Sequence, residues 1–273
     1  MGGRLSPQQV QGFRDEGYLL FDQPVLPQPK FGALKAHFER KLVEFVESTG
    51  SSPEHFDVPH FEDVQLFGWL FDDAVLDVVE SLIGADIALW SSHFISKPPG
   101  VGKRVPWHED SAYWGTVLDP MEVVTVWLAI DPSRVENGCM RVIPRTHHHG
   151  YSEYENVGDA GASVFHTEIK AGAFDEGAAV DCVLEPNHCS IHHAKLIHGS
   201  NANTSPKRRC GYTMRYVPTT SRFRPGDGAG AFQIYLARGK DRADNAYGDP
   251  TKPNEAWIHA DREARRKAKL LAG

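Results

Sequence analysis

The sequence predicts a mainly β fold with flanking helices, in which a helical N-terminal third precedes an antiparallel sandwich or barrel. Two observations lead to this prediction. In the first third of the 273 residues, apolar side chains recur with the period of an amphipathic helix. From Ile87 onward they fall into short runs separated by Gly, Pro, Asn and Asp, a spacing typical of β sandwiches and barrels.

The first helix is predicted to begin directly after Ser6. Ser6 followed by Pro7 is typical of an N-cap with proline at the first helical position, and the amphipathic pattern continues to about Glu16. Gly17 ends this helix because glycine readily adopts the left-handed conformation of a helix C-terminus. Residues 18–21 are apolar and predict the first strand.

Two further helices are predicted in this third of the chain. Residues 31–49 carry an apolar stripe with helical spacing, and residues 73–83 repeat the pattern up to Gly84. We therefore assign residues 1–86 to a mainly helical support for the β region.

The strand-like runs lie within residues 87–218, which form the predicted β core. Asn137 and Gly138 predict a hairpin turn there, because both tolerate positive φ. After about Ser221 the chain is rich in glycine and charge, and it closes with a charged surface helix over residues 255–271. Without internal repeats or long linkers, residues 1–273 are predicted to form a single domain whose last segment, 219–273, is irregular apart from that helix.

Composition narrows the function classes. The net charge is −7 and no basic block is present, which argues against a nucleic-acid partner. The N-terminus lacks the apolar core of a signal peptide, and no run of about 18 apolar residues predicts a membrane span. The four cysteines are scattered and are predicted to be reduced thiols of a cytoplasmic protein. These residues are Cys139, Cys182, Cys189 and Cys210.

Half of a metal site is predicted around His108. If residues 105–111 are extended, alternate side chains share a face, so His108 and Asp110 point the same way and Glu109 points away. An imidazole and a carboxylate that converge suit a divalent metal, but a third ligand is needed. We expect Glu109 to matter least to the metal.

A second histidine-rich stretch, residues 191–218, offers that third ligand. His198 is one candidate, and His192 and His193 are alternatives for which we favour supporting roles. Two histidines and one carboxylate form a facial triad that leaves coordination positions open, as in Fe(II) oxygenases. Arg209 could then pair bidentately with a carboxylate, whereas strand alternation directs its neighbour Arg208 outward.

Together these motifs resemble the phytanoyl-CoA dioxygenase family of Fe(II)- and 2-oxoglutarate-dependent oxygenases. The similarity covers residues 5–218 and rests on the following segments: His108-x-Asp110, Trp127, Glu136-Asn137-Gly138-Cys139-Met140-Arg141-Val142-Ile143-Pro144, His198-Gly199-Ser200 and Arg209. It implies a double-stranded β-helix core, also called a jelly roll or cupin-like fold. It also implies Fe(II) as cofactor and 2-oxoglutarate and O2 as co-substrates.

The resemblance further implies individual roles. His108, Asp110 and His198 would be the iron ligands, and Arg209 would bind the distal carboxylate of 2-oxoglutarate. Ser200 and Trp127 match positions that line the co-substrate pocket, and His93 matches a further lining position. Related halogenases lack the carboxylate ligand, so Asp110 argues for hydroxylation. The sequence departs from the family at residues 144–147, PRTH, where Pro-Gly-Ser-His is usual.

The expected reaction is hydroxylation of a C–H bond of a small metabolite, with release of succinate and CO2. Arg141, Arg145 and His147 cluster in sequence and favour an anionic or zwitterionic substrate, such as an aminophosphonate or amino-acid-like compound. Arg141 either faces the substrate or is solvated. Tyr113 is predicted to line the substrate pocket, and Lys97 is predicted to be a surface charge at a strand end.

Other interpretations remain open at this point. The substrate could instead be a natural product or an acyl-CoA thioester. A zinc hydrolase with the same ligands, or a non-catalytic jelly-roll binding protein, are alternatives from other classes. The sequence also leaves a homodimer open, since residues 221–273 could form either a lid or a subunit contact.

Overall fold

The computed structural model describes residues 5–159, 161–225 and 231–272. The predicted single domain also includes residues 1–4, 160, 226–230 and 273, which lie outside the described residues. None of the helices in the described ranges has both the length and the apolar character needed to cross a membrane.

Six α-helices occur in these ranges. They are α1 (Pro7–Glu16), α2 (Gln28–Thr49), α3 (Phe67–Leu70), α4 (Asp73–Ile83), α5 (Asp110–Trp114) and α6 (Glu255–Ala272). The bounds predicted for α1 and α4 are confirmed. The Ser6 side chain caps α1 by accepting from the backbone N–H of Gln9, and Gly17 ends it at φ 80°. Helix α2 begins three residues earlier than predicted, because Pro29 is tolerated in a first helical turn.

Fifteen short strands follow the helices or lie between them. They are β1 (Tyr18–Phe21), β2 (Phe56–Asp57), β3 (Ile87–Lys97), β4 (Val105–His108), β5 (Leu118–Asp119), β6 (Val124–Ala129), β7 (Met140–Val142), β8 (Tyr154–Asn156), β9 (Thr167–Ile169), β10 (Val180–Asp181), β11 (Cys189–His193), β12 (His198–Ser200), β13 (Arg209–Pro218), β14 (Arg222–Phe223) and β15 (Tyr235–Arg238).

Two antiparallel sheets form the β core. The larger has the order β1-β11-β6-β13-β3-β15, with β2 also paired to β3, and the smaller has the order β10-β7-β12-β4. The prediction of a mainly β protein with antiparallel strands is therefore confirmed. Strands that are neighbours in a sheet are mostly distant in sequence, so the sheets bring separate motifs together.

The two faces of the large sheet have different surroundings. On β13, Tyr212, Met214 and Tyr216 point to one face and belong to the main apolar core, together with residues of α2, α3 and α4. Arg209 and Arg215 point to the other face and line a cavity. Residues of β4, β7 and β12 line the same cavity, so it lies between the two sheets.

Two short strands and the helix α6 occur in the segment after residue 218. Strand β15 pairs with β3 at the edge of the large sheet, and Tyr235 is fully buried in the main core. Trp257 of α6 packs against Phe61, with ring centroids 5.3 Å apart. Apart from β14, β15 and an isolated bridge, the described residues from 219 to 254 are turns and loops.

Candidate metal centre

Three side chains converge at one end of the cavity. His108 is the last residue of β4, His198 is the first residue of β12, and the two face each other in register. Asp110 is the first residue of α5, so the extended segment predicted to reach residue 111 ends earlier. Glu109 keeps an extended backbone, which still turns His108 and Asp110 to the same side. One potential ligand atom of each residue lies within 4.8 Å of the others.

Backbone carbonyls orient both imidazoles. His108 Nδ1 lies 2.7 Å from the carbonyl oxygen of Pro106, and His198 Nδ1 lies 3.0 Å from that of Leu196. A carbonyl can only accept, so each Nδ1 carries the proton and each Nε2 keeps its lone pair. The two Nε2 atoms lie 3.8 and 3.9 Å from Asp110 Oδ1. Two nitrogen donors and one carboxylate oxygen therefore face a common point.

The charges suit a divalent metal. Burial lowers the pKa of His108 and of His198, so both imidazoles are neutral near pH 7. Burial raises the pKa of Asp110, but the positive charge of the Arg215 guanidinium opposes this effect, and the pKa of Asp110 lies well below its usual range. Neutral imidazoles beside an ionised carboxylate are the donor set of a facial-triad metal site.

A cationic group occupies the other end of the cavity. Arg209 is buried, and its Nε and Nη2 donate to the carbonyl oxygen of Gly138 at 3.0 and 2.7 Å. Nη2 also lies 3.2 Å from Ser200 Oγ, and the guanidinium lies 5.3 Å from the ring centroid of Trp127. A Cβ at Gly211 would be 2.2 Å from the Trp127 ring, so glycine is required for this indole to lie against β13.

Lys97 is a correction to the sequence prediction. It was expected at the surface, but its side chain is buried, with the residue 1% exposed, and lines the cavity near Arg209. Its Nζ donates to the carbonyl oxygens of Asn201, at 2.8 Å, and Lys103. Burial lowers the pKa of Lys97 to about 6, and the charge of Arg209 adds to this shift. Strand β3 continues to Lys97 and pairs it with Arg209, which is why the side chain stays inside.

The cavity between these ends is small, about 130 Å³, compared with roughly 300–1,000 Å³ for drug-sized ligand sites. Ser200, Trp127 and His93 line it, where the resemblance implied. His93 Nε2 donates to the carbonyl oxygen of Glu54 at 3.2 Å, and its Nδ1 lies 3.5 Å from an Asp57 carboxylate oxygen.

An aromatic group covers the metal end. Phe165, in the loop between β8 and β9, packs its ring edge-on against His108 at 5.0 Å. Tyr113 of α5 stands beside it, with ring centroids 5.3 Å apart, and is 48% exposed. Tyr113 is therefore adjacent to the cavity rather than part of its lining, whereas Phe165 lines the cavity.

Arg141 does not join the site. Its neighbours Met140 and Val142 are buried, so strand alternation turns Arg141 to the opposite face of β7. There its guanidinium lies 3.1 Å from Glu176 and 3.3 Å from Asp181. Of the two alternatives left open for Arg141, the structure therefore favours the one in which it does not face the substrate cavity.

His147 and Arg145 also lie elsewhere. Arg145 pairs with Glu16 at 3.1 Å, and His147 Nε2 donates to the carbonyl oxygen of Arg14 at 3.0 Å. Both residues hold the end of α1, and neither lines the cavity. The prediction that Arg145 and His147 lie near the substrate was wrong, because both side chains contact residues of α1 instead of the cavity.

The side chains of Glu109 and Arg208 point in the directions that strand alternation predicts. Glu109 points away from the metal ligands, is buried, and accepts from the Ser152 backbone N–H at 3.2 Å. Burial raises its pKa. Arg208 points away from the cavity and pairs with Glu39 and Asp131. Outside the triad, the described side chains contain no further set of three His, Cys, Asp or Glu placed to hold a metal.

Sequence reasoning missed Arg215, whose Nε lies 3.2 Å from Asp110 Oδ2. The signal was available, since Arg209 and Arg215 are six residues apart on one strand and must share a face. Glu54 was also missed. It lines the cavity from a short 3-10 turn that has no periodic pattern.

Comparison with protein families gives one match. A family model described as phytanoyl-CoA dioxygenase (PhyH) matches residues 13–211. A phytanoyl-CoA dioxygenase from Arabidopsis thaliana is 29% identical over 79% of this chain and 89% of its own length. A phytanoyl-CoA dioxygenase domain-containing protein 1 homolog from Caenorhabditis elegans is 27% identical, over 58% of this chain and 56% of the relative.

A more distant relative is named a probable alpha-ketoglutarate-dependent hypophosphite dioxygenase, from Stutzerimonas stutzeri. It is 24% identical over 67% of this chain and 64% of its own length.

Solved structures share the fold. The apo form of the non-heme monooxygenase ThoJ superposes with a TM-score of 0.74 at 22% identity, over 97% of this chain and 100% of that one. The structure of CytC3 with Fe(II) and alpha-ketoglutarate superposes with a TM-score of 0.65 at 22% identity, over 92% and 96% of the chains.

Proposed function

The chain belongs to the phytanoyl-CoA dioxygenase (PhyH) family, and on this premise we propose that it is an Fe(II)- and 2-oxoglutarate-dependent dioxygenase that hydroxylates a C–H bond of a small metabolite. One observation carries the proposal. A buried two-histidine, one-carboxylate triad and a buried arginine stand at opposite ends of one small cavity. A zinc hydrolase or a binding module has no use for that arginine.

The residues present fit the cofactor and co-substrate. His108, Asp110 and His198 would hold Fe(II), since their free donor atoms face one point. Arg209 would pair with the distal carboxylate of 2-oxoglutarate, with Ser200 beside it. Iron bound there supplies O2 activation coupled to the conversion of 2-oxoglutarate to succinate and CO2.

The chain's own groups then orient and shield the reactants. Gly138 receives two hydrogen bonds from Arg209 and so fixes the plane of its guanidinium. Trp127 supports the same group from one side. Phe165 covers His108 and keeps water from the metal end of the cavity. Positioning and exclusion of water are the protein's contributions to such a reaction.

We propose an anionic or zwitterionic metabolite as the substrate class. The original basis, the cluster around Arg141, lies outside the cavity and no longer supports it. One other observation does: a relative is named for hypophosphite, a small anion.

The remaining sequence predictions belong to this proposal. We propose that residues 1–273 act as one catalytic domain and that the two facing sheets are the double-stranded β-helix of the family. A cytoplasmic location and a homodimer stay predictions.

Two measurements test the function. Anaerobic addition of Fe(II) and 2-oxoglutarate should give the weak visible charge-transfer band of the chelate, which a zinc hydrolase or a binding module would not give. Succinate release is then measured with phosphonates, amino-acid-like compounds, neutral terpenoids and acyl-CoA thioesters. Turnover with the first two groups supports the substrate class, and turnover with terpenoids or thioesters alone contradicts it.

A further inference from the structure

The two oxygens of the Asp110 carboxylate face different partners. Oδ1 lies 3.8 Å from His108 Nε2 and 3.9 Å from His198 Nε2. Oδ2 faces the large sheet instead, where it lies 3.2 Å from Arg215 Nε and 3.9 Å from His192 Nε2. One oxygen is thus directed to the metal position and the other to an arginine.

Arg215 is itself held in place on three sides. Its Nη1 lies 3.4 Å from Ser91 Oγ, on the strand paired with β13. Its guanidinium lies 5.5 Å from the ring centroid of Trp114. The Arg215 and Asp110 side chains are only 12% and 8% exposed, so this ion pair is largely shielded from solvent.

The contacts of Arg215 span a whole helix. Asp110 and Trp114 are the first and last residues of α5, which has five residues. A helix this short is not stable by itself, so its position depends on contacts with the rest of the protein. Arg215 touches both ends and thereby ties the carboxylate to the rigid strand β13.

We propose that Arg215 is a positioning residue for the metal centre, which holds Oδ2 of Asp110 so that Oδ1 alone is presented to the metal. The inference rests on the proposed function, because it requires that the triad binds a metal. A carboxylate held by one oxygen leaves more of the coordination sphere open for 2-oxoglutarate and O2 than one that binds through both. Arg215 therefore acts on the reaction through Asp110.

Two variants separate geometry from charge. Arg215→Gln removes both the charge and the planar guanidinium, whereas Arg215→Lys keeps the charge but cannot span Asp110, Ser91 and Trp114 together. The matched control is Arg238→Gln. Arg238 pairs with Asp73, Asp77 and Glu80 near α4 and does not line the cavity, so its loss tests the general effect of removing an arginine ion pair.

The probe is Co(II), titrated into the metal-free full-length chain, with its visible absorption recorded at saturation and a thermal melt in chelator as a folding control. We expect Arg215→Gln to weaken Co(II) binding by roughly 10- to 100-fold, as is typical when a partner of a metal ligand is lost. Arg215→Lys should recover part of the affinity but retain an altered spectrum. Arg238→Gln should match the wild type in both.

The outcomes distinguish the two proposals. Wild-type affinity and spectrum in both Arg215 variants would overturn the positioning role while leaving the proposed function intact. A wild-type chain that binds no Co(II) would overturn both. If Arg215→Gln does not fold, an Arg215→Lys protein with a normal melt and an altered spectrum supports the positioning role, and one with an unaltered spectrum overturns it.

Discussion

The two faces of strand β13 differ in nearly every respect. Tyr212, Met214 and Tyr216 are buried against the helices and contribute to the apolar core. Arg209 and Arg215 alternate with them and line the cavity, each fixed by a buried acceptor, Gly138 or Asp110. One strand thus serves packing on one side and chemistry on the other. Substitutions at neighbouring positions of β13 should therefore have different effects. Those on the apolar face should change stability, and those on the cavity face should change ligand binding.

The largest effect should follow loss of a metal ligand on the cavity side. We expect His198→Ala to lose the metal, and turnover should fall by more than the roughly 100-fold typical of losing an outer partner of a ligand. The melting temperature of the metal-free protein should change little, because this imidazole lines a cavity and is not part of the main apolar core. Anaerobic iron binding and succinate release measure the effect. Retained iron would contradict the assignment.

The next largest effect should follow when a substitution creates a cavity on the apolar face of β13. Met214→Ala should lower the free energy of unfolding by about 2–5 kcal/mol, since Met214 is fully buried in the main core. Urea denaturation measures this. The KM for 2-oxoglutarate should stay at the wild-type value in the folded protein. A large change in that KM would mean that the two faces are coupled.

Neighbouring arginines sharpen the comparison further. Arg209→Gln should raise the KM for 2-oxoglutarate by roughly 10- to 100-fold, because a charged hydrogen bond contributes about 1.5–3 kcal/mol. Arg208→Gln is the control, since Arg208 faces away and pairs with Glu39 and Asp131. Arg208→Gln should change the free energy of unfolding and leave the KM for 2-oxoglutarate at the wild-type value. Equal effects of the two variants on the KM would show that the strand register is wrong.

The last test concerns the pH dependence of stability and again separates the two faces of β13. His60 is buried on the apolar side, with Nδ1 2.7 Å from Ser92 Oγ, and burial lowers its pKa from 6.5 to about 3. Between these values the unfolded chain binds a proton that the folded protein does not, so stability falls as pH decreases through this window.

The urea midpoint of metal-free protein should therefore decrease from pH 6.5 toward 3. The decrease should be shallower in His60→Gln, which has no such group to protonate. Identical slopes for the two proteins would contradict the role of His60.

Local signals predicted the helices and the pair His108 and Asp110 well. Capping by Ser6 and Gly17 depends only on residues close in sequence, and the pair His108 and Asp110 depends only on local alternation. The bounds of α1 and α4 and the shared side of His108 and Asp110 could therefore be predicted from local sequence, whereas the third ligand, His198, is distant in sequence and was implied by the family resemblance.

Predictions that needed tertiary information failed. Alternation shows that Arg141 and its neighbours point to opposite faces, but it does not say which face the cavity occupies. Lys97 seemed exposed because its burial depends on carbonyls of Asn201 and Lys103, which the sequence does not place nearby. Burial of a long charged side chain is decided by distant backbone partners.

The pairing of His108 with His198 across β4 and β12 has one more consequence. A metal held by both would act as a cross-link between strands that are far apart in the chain. By mass action, free metal at 100 times its Kd stabilises the folded state by about 2.7 kcal/mol. Bound iron would then raise the free energy of unfolding of the folded chain in addition to supporting its activity.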